Sequence, residues 1–195
     1  DEPMSKHTSF KTGGIADVFV KAYSVSEIKS VLVVAKKNNI PLFVLGNGTN
    51  LLVKDEGFRG IILQIKLEDI QINNNEVLVQ SGVKNAILAK KLLDNTLTGF
   101  EFAAGIPGTL GGALAMNAGA YGGEMKDIVK SVRLMDSDGN ILDFTNEQME
   151  FSYRRSILSR TDYIVLSAQI ELENGNYDEI KATMADFTQR RVTKQ

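Results

Sequence analysis

Apolar and polar residues alternate from Asp17 to Ala22 (DVFVKA), the period of two that turns one face of a strand toward a core. Ser24 and Glu27 follow in the S-x-x-E spacing of a capping box. They predict a helix that runs to Asn38 or Asn39 with Ile28, Leu32 and Ala35 on its buried side. Pro41 starts an apolar strand, Leu42 to Leu45, which delivers the chain to the polar loop Gly46-Asn47-Gly48-Thr49-Asn50. Leu51-Leu52-Val53 reads as strand resumed after that loop, and Gly57-Phe58-Arg59-Gly60 as a turn into a strand from Ile61 to Ile65.

Past Lys66, where we place a subdomain boundary, Ile70 to Ile72 and Val77 to Val79 flank Asn73-Asn74-Asn75 as a hairpin. Lys84 to Asn95 has helical spacing, with Leu88, Ala89, Leu92 and Leu93 on one face. Val129 to Met135 and Ile141 to Phe144 form a second hairpin around Asp138-Gly139. Ile164 to Leu172 is a long strand, and Tyr177 to Arg191 a helix with basic residues in its last turn.

Two stretches stand apart from the periodic pattern. Gly105 to Gly123 (GIPGTLGGALAMNAGAYGG) holds seven of the seventeen glycines, yet Ile106, Pro107, Leu110, Leu114 and Met116 are interleaved where a flexible spacer would carry Ser or Gln. Amides freed by Gly108-Thr109-Leu110-Gly111-Gly112 can converge on an anion; a packed glycine-rich turn is equally compatible with the composition. The earlier loop is neither a Rossmann fingerprint, because Leu51 stands where the third Gly belongs, nor a P-loop, because no GK[ST] follows. Asn47, Thr49 and Asn50 nevertheless add side-chain donors of the kind that suit a diphosphate, although a plain turn would carry them too.

Composition narrows the chemistry. The chain has 195 residues, a net charge of -2 and no run of Lys or Arg longer than two, which gives no basic field for nucleic acid. Without cysteine there is no thiolate nucleophile and no zinc-finger spacing, so no metal site is expected. The single His7 reads as an ordinary surface or hinge residue. Apolar runs are too short to span a bilayer and the first residues show no signal sequence, so a cytoplasmic, membrane-free protein is expected.

His7 to Gly14 (HTSFKTGG), Val44 to Leu52 (VLGNGTNLL), Gly105 to Gly123 and Tyr153-Arg154-Arg155-Ser156 occur together in this order. In that combination the chain resembles the bacterial UDP-N-acetylenolpyruvoylglucosamine reductases, also called UDP-N-acetylmuramate dehydrogenases. The resemblance implies an α+β, two-subdomain FAD-binding fold of the vanillyl-alcohol oxidase and xanthine dehydrogenase flavin-domain type, residues 1–66 and 67–195. Asn47, Gly48, Thr49, Asn50 and Leu51 match the loop around the FAD diphosphate. Gly105, Pro107, Gly108, Thr109, Gly111, Gly112, Asn117, Gly119, Ala120 and Tyr121 match the second wall, and Val165 a contact near the flavin ring. Arg154 matches the active-site arginine and Tyr153 its substrate-side neighbour; Arg155 receives no role.

The reaction so implied is hydride transfer from NADPH to FAD and then to the enolpyruvyl group of UDP-N-acetylglucosamine enolpyruvate, giving UDP-N-acetylmuramate for peptidoglycan. A serine proton donor and a late glutamate of the family lie in a substrate-binding domain that would follow Gln195, so this chain alone is expected to bind FAD without completing the cycle. Two other readings stay open on the residues alone: another flavoenzyme of the same fold, such as a small-alcohol oxidase, and a non-catalytic nucleotide-binding module.

Overall fold

A computed structural model describes residues 1–194. The alternating segment becomes β2 (Ile15–Ala22), which pairs antiparallel with the short β1 (Glu2–Pro3). The chain crosses through α1 (Val25–Lys37) to β3 (Leu42–Leu45), and β4 (Phe58–Ile65) then inserts between β2 and β3, parallel to both. A strand covered on both faces should read as a continuous apolar run, and Ile61, Ile62, Leu63 and Ile65 are all buried. Ser24 caps α1 by accepting from the Glu27 amide at 3.2 Å, while the Glu27 carboxylate reaches past the cap to the Tyr23 amide at 2.6 Å. Ile28, Leu32 and Ala35 are the buried side chains of α1.

The second sheet has the order β11-β10-β12-β6-β5 and is antiparallel throughout. It is built from β5 (Ile70–Asn73), β6 (Glu76–Gln80), β10 (Val129–Met135), β11 (Ile141–Thr145) and β12 (Ile164–Glu171). On one face it packs α2 (Asn85–Asp94) and the six-residue α3 (Leu110–Ala115) in the largest apolar cluster of the molecule. Two small antiparallel pairs accompany these, the long-range pair of β7 (Leu97–Thr98) with β13 (Glu173–Asn174) and the hairpin of β8 (Gly119–Ala120) with β9 (Gly123–Glu124). The one-turn α4 (Met125–Ile128) follows β9, and α5 (Tyr177–Lys194) closes the described chain.

A second apolar cluster joins the sheets: Ile28 and Leu32 of α1 and Leu63 and Ile65 of β4 meet Met135, Ile164 and Leu166 of the second sheet. Each large aliphatic side chain so buried contributes about 2 kcal/mol. Lys36 also pairs with Asp138 in the β10–β11 turn, so α1 grips both halves.

Three sequence expectations fail here. Phe58, Arg59 and Gly60 are not a turn but the first residues of β4. Leu51-Leu52-Val53 is not a strand; Leu51 and Val53 cover their apolar surface by packing onto the outer cluster around Met4 and Ile62, while Leu52 stays exposed. His7 is not an ordinary surface residue. Its side chain is largely buried, with the ring stacked on Phe19 at 3.9 Å and Nε2 donating to Glu2 Oε1 at 2.8 Å.

Candidate functional site

The loop after β3 is held from behind. Gln64, the one polar residue in the buried run of β4, donates from Nε2 to the Gly46 carbonyl at 2.9 Å. From the other side the Ser9 amide donates to the Gly48 carbonyl at 3.0 Å. Gly48 has φ +65°, and a Cβ there would overlap the His7 carbonyl oxygen, so both its conformation and its surroundings require glycine. The consequence lies on the open side: among the described residues, the amides of Asn47, Gly48, Thr49 and Asn50 donate no hydrogen bond.

The glycine-rich segment meets this loop at its first half. Thr49 Oγ1 donates to the Pro107 carbonyl at 3.2 Å, and Gly46 faces Thr109 so closely that a Cβ would sit 2.6 Å from its Oγ1. Thr109 is the N-cap of α3, but its hydroxyl does not cap the helix. Of the five amides from Gly108 to Gly112 that could serve an anion, two are already used: Leu110 donates to Val83 and Gly111 to Ser81. Asn85, buried at the start of α2, fixes the same stretch through its amide to Gly108 and its Nδ2 to Ile106.

Between the sheets, beside this junction, lies a cavity of about 700 Å³. Its lining joins apolar side chains such as Leu32, Leu45, Ile164 and Val165 to Gly46, Ser81, Thr109, Gly111 and Gly112 of the junction, with Lys36 and Asp162 also on the wall. The Ser81 hydroxyl is buried without a hydrogen-bond partner.

The remaining predicted residues gather at the other end of α3, roughly 9 Å away at 1.5 Å per residue. Asn117, Gly119 and Ala120 lead into the β8–β9 hairpin, and the Arg154 Nη2 donates to the Gly119 carbonyl at 3.2 Å. Ser152 and Arg155 exchange backbone bonds of 3.0 and 3.1 Å, which leaves Tyr153 and Arg154 as the tip of a tight turn. Arg154 sits there at φ +55° with its guanidinium 5.6 Å from the Tyr153 ring centroid. Glu124 lies close by. Its carboxyl is held below the usual carboxylate range, first by the hydrogen bond from Lys126 at 2.5 Å and further by Asn117 and the charge of Arg154.

Three predicted residues are placed differently from the rest. The Tyr121 hydroxyl donates to the Phe187 carbonyl of α5 at 2.9 Å, with the two rings stacked at 4.3 Å. The Gly105 carbonyl accepts from Arg191 of the same helix. Val165 lines the cavity, whereas neither Tyr153 nor Arg154 does. Gln64, Ser81 and Asn85 were not found from the sequence; the available signal was a buried-strand or helix-start position carrying a polar side chain. Among the described residues no three His, Cys, Asp or Glu side chains cluster as a metal site, and no helix is long and apolar enough to cross a membrane.

Two α+β halves with a glycine-lined cleft between them, open to a ligand along a short helix, define a dinucleotide-binding domain of the flavoprotein type. The family model described as FAD binding domain matches residues 16–145. The chain is 56% identical, over its whole length, to UDP-N-acetylenolpyruvoylglucosamine reductase of Clostridioides difficile (strain 630), and spans 65% of that protein. The structure of UDP-N-acetylenolpyruvylglucosamine reductase from Thermus caldophilus superposes with a TM-score of 0.85 at 30% identity, covering 97% of this chain and 68% of that one. A VAO-type flavoprotein from Myceliophthora thermophila shares the fold, with a TM-score of 0.62 at 17% identity over 80% of this chain and 31% of that one. The chain therefore belongs to the FAD-binding domain family and, within it, to the UDP-N-acetylenolpyruvoylglucosamine reductases.

Proposed function

We propose that residues 1–66 and 67–195 form two subdomains that clasp FAD along α3, and that the chain is the flavin-carrying part of an NADPH-dependent reductase of UDP-N-acetylglucosamine enolpyruvate. The product would be UDP-N-acetylmuramate. The fit of the cofactor rests on the free amides of residues 47–50, the close approach of Gly46 to Thr109 and the orphaned Ser81 hydroxyl beside an apolar cavity. Asn47 to Leu51, with Pro107 to Thr109, Gly111 and Gly112, would hold the diphosphate. Val165 shares the cavity with Leu45 and Ile164 and would meet the flavin ring from there. FAD supplies the hydride chemistry when bound.

The observation that carries the reductase reading is Arg154. It is exposed at the tip of the Ser152–Arg155 turn and anchored there by the Gly119 carbonyl at 3.2 Å. The guanidinium stands beside Gly119, just past the C-terminal end of α3, free to pair with a substrate carboxylate and to favour negative charge that develops next to it. Tyr153, almost wholly exposed, offers a ring face on the same side.

The test is spectroscopic. Purified protein should bind one FAD per chain; in a longer chain that continues past Gln195, the bound flavin should bleach anaerobically on addition of NADPH, and UDP-N-acetylglucosamine enolpyruvate should restore its colour in a manner that depends on Arg154. Recolouring that survives Arg154→Lys unchanged would remove Arg154 from the reaction, and bleaching by a small alcohol would favour an oxidase instead.

A further inference from the structure

Asn117 matches a family position expected to touch the cofactor, yet its side chain is committed elsewhere. It is 2% exposed, Nδ2 donates to Glu124 Oε2 at 2.5 Å and to the Ser152 carbonyl at 3.1 Å, and Oδ1 accepts from the Lys126 amide at 3.0 Å. Both amide protons are thereby used. Its backbone, at φ +38°, is in the left-handed region that asparagine tolerates better than most residues.

Ser152 is the residue on which the Tyr153–Arg154 turn is hinged. Its carbonyl accepts twice, from Arg155 within the turn and from Asn117 outside it. Two residues beyond Asn117, Gly119 accepts the Arg154 guanidinium. One short stretch, 117–119, thus holds the turn at its base and its arginine at its tip. At the far side the Ser156 hydroxyl donates to Ala115 at the end of α3, so the turn is pinned to both ends of the same helix exit.

We infer that Asn117 is a positioning residue, which fixes the Ser152 carbonyl and so presents the Arg154 guanidinium in one orientation, and that its side chain does not contact the cofactor. The inference rests on Arg154 being the substrate-facing group proposed above. Glu124 supports the arrangement from behind, as an ionised acceptor for Asn117 that also attracts Arg154.

The amide donors can be removed and partly replaced. Asn117→Asp keeps the size and the acceptor for Lys126 but loses both donors and sets a carboxylate against Glu124. Adding Glu124→Gln gives back a donor toward position 117 but nothing toward the Ser152 carbonyl. The readout is the Arg154 Nε–H resonance in ¹⁵N-labelled protein, identified by its disappearance in Arg154→Lys and recorded with and without FAD. In Asn117→Asp it should move to the position of a freely solvated arginine, while that of Arg133, held in a two-bond pair with Asp143, stays in place. FAD affinity should stay within about threefold of the parent. In the double variant thermal stability should recover and the Arg154 resonance should not. Should Asn117→Asp fail to fold, Asn117→Ser removes the same donors without adding charge and is read in the same way.

An Arg154 resonance that is unmoved in the single variant, or restored together with stability in the double one, overturns the inference and leaves Asn117 a structural hub. A loss of FAD affinity of about tenfold or more with an unmoved resonance makes it a cofactor ligand. Failure of the unsubstituted protein to bind FAD is a different result, which strikes the functional reading and not the geometry of the turn.

Discussion

The two glycine walls of the cleft differ in where their polar groups go. The backbone of the loop 46–50 is held from outside, through Gln64, Ser9 and the close approach of the His7 carbonyl behind Gly48, with Thr49 Oγ1 its own bond to the other wall, and it keeps its amides open. The segment 105–123 is held by its own polar groups: Leu110 and Gly111 donate to the strand exit at 81–83, Asn117 is fully engaged, and Gly105 and Tyr121 bond to α5. Glycine in the first wall frees backbone for a ligand. In the second, much of it lets protein segments approach one another. A glycine-rich stretch is thus not in itself a binding loop; the destination of its amides decides.

Gly48→Val tests the first wall with the largest expected effect. The new side chain would meet the His7 carbonyl in a left-handed conformation, so the fold should lose about 3–5 kcal/mol along with FAD binding. Chemical denaturation of the apo form checks this. Loss of FAD affinity with the apo stability intact would mean that the loop yields without its brace and that the contrast between the walls is overdrawn.

Tyr121→Phe probes the second wall more gently. It keeps the stack on Phe187 and deletes only the hydroxyl bond, so stability should fall by about 1 kcal/mol with FAD affinity changed by less than about twofold. A fall in affinity much larger than the fall in stability would return Tyr121 to the cofactor.

The smallest effect concerns acid. Because Glu124 titrates below its unfolded value, its ionised form adds stability that is complete above the ordinary carboxylate range and is lost as the pH falls through the folded-state value. The stability difference between the parent and Glu124→Gln should therefore shrink from about pH 6 to about pH 3. The Lys126 partner is half exposed and screened, so the slope should be slight and salt-sensitive. A difference independent of pH would uncouple Glu124 from the second wall.

Much of the fold was legible because burial and period coincide. Ile28, Leu32 and Ala35 face the core since α1 is a surface helix with one covered side, and the two hairpins around Asn74 and Gly139 follow from turn chemistry. Leu51-Leu52-Val53 misled because an apolar triplet says nothing about whether a sheet edge is free. His7 misled because a lone polar residue gives no hint that Phe19, on another strand, will cover it. Within the site, the order of the motifs located both walls, and the exposure of Tyr153 and Arg154 agrees with a turn that reaches outward. What the chain order could not give was which donors were already taken. That depends on Val83, Ser81 and Ser152, partners far along the sequence whose carbonyls carry no signature in residue type.

The brace behind Gly48 acts through the main chain of residues 7–9, not through their side chains. Natural variation should therefore treat this stretch in an unusual way. His7 and Thr8 are themselves packed, but exchanging either side chain leaves the main-chain brace in place, whereas adding or deleting one residue between β1 and Ser9 would move the Ser9 amide and the His7 carbonyl off the loop together. The segment should therefore keep its length among relatives, so a gap falling there in an otherwise good alignment would mark a protein whose loop after β3 is supported in some other way.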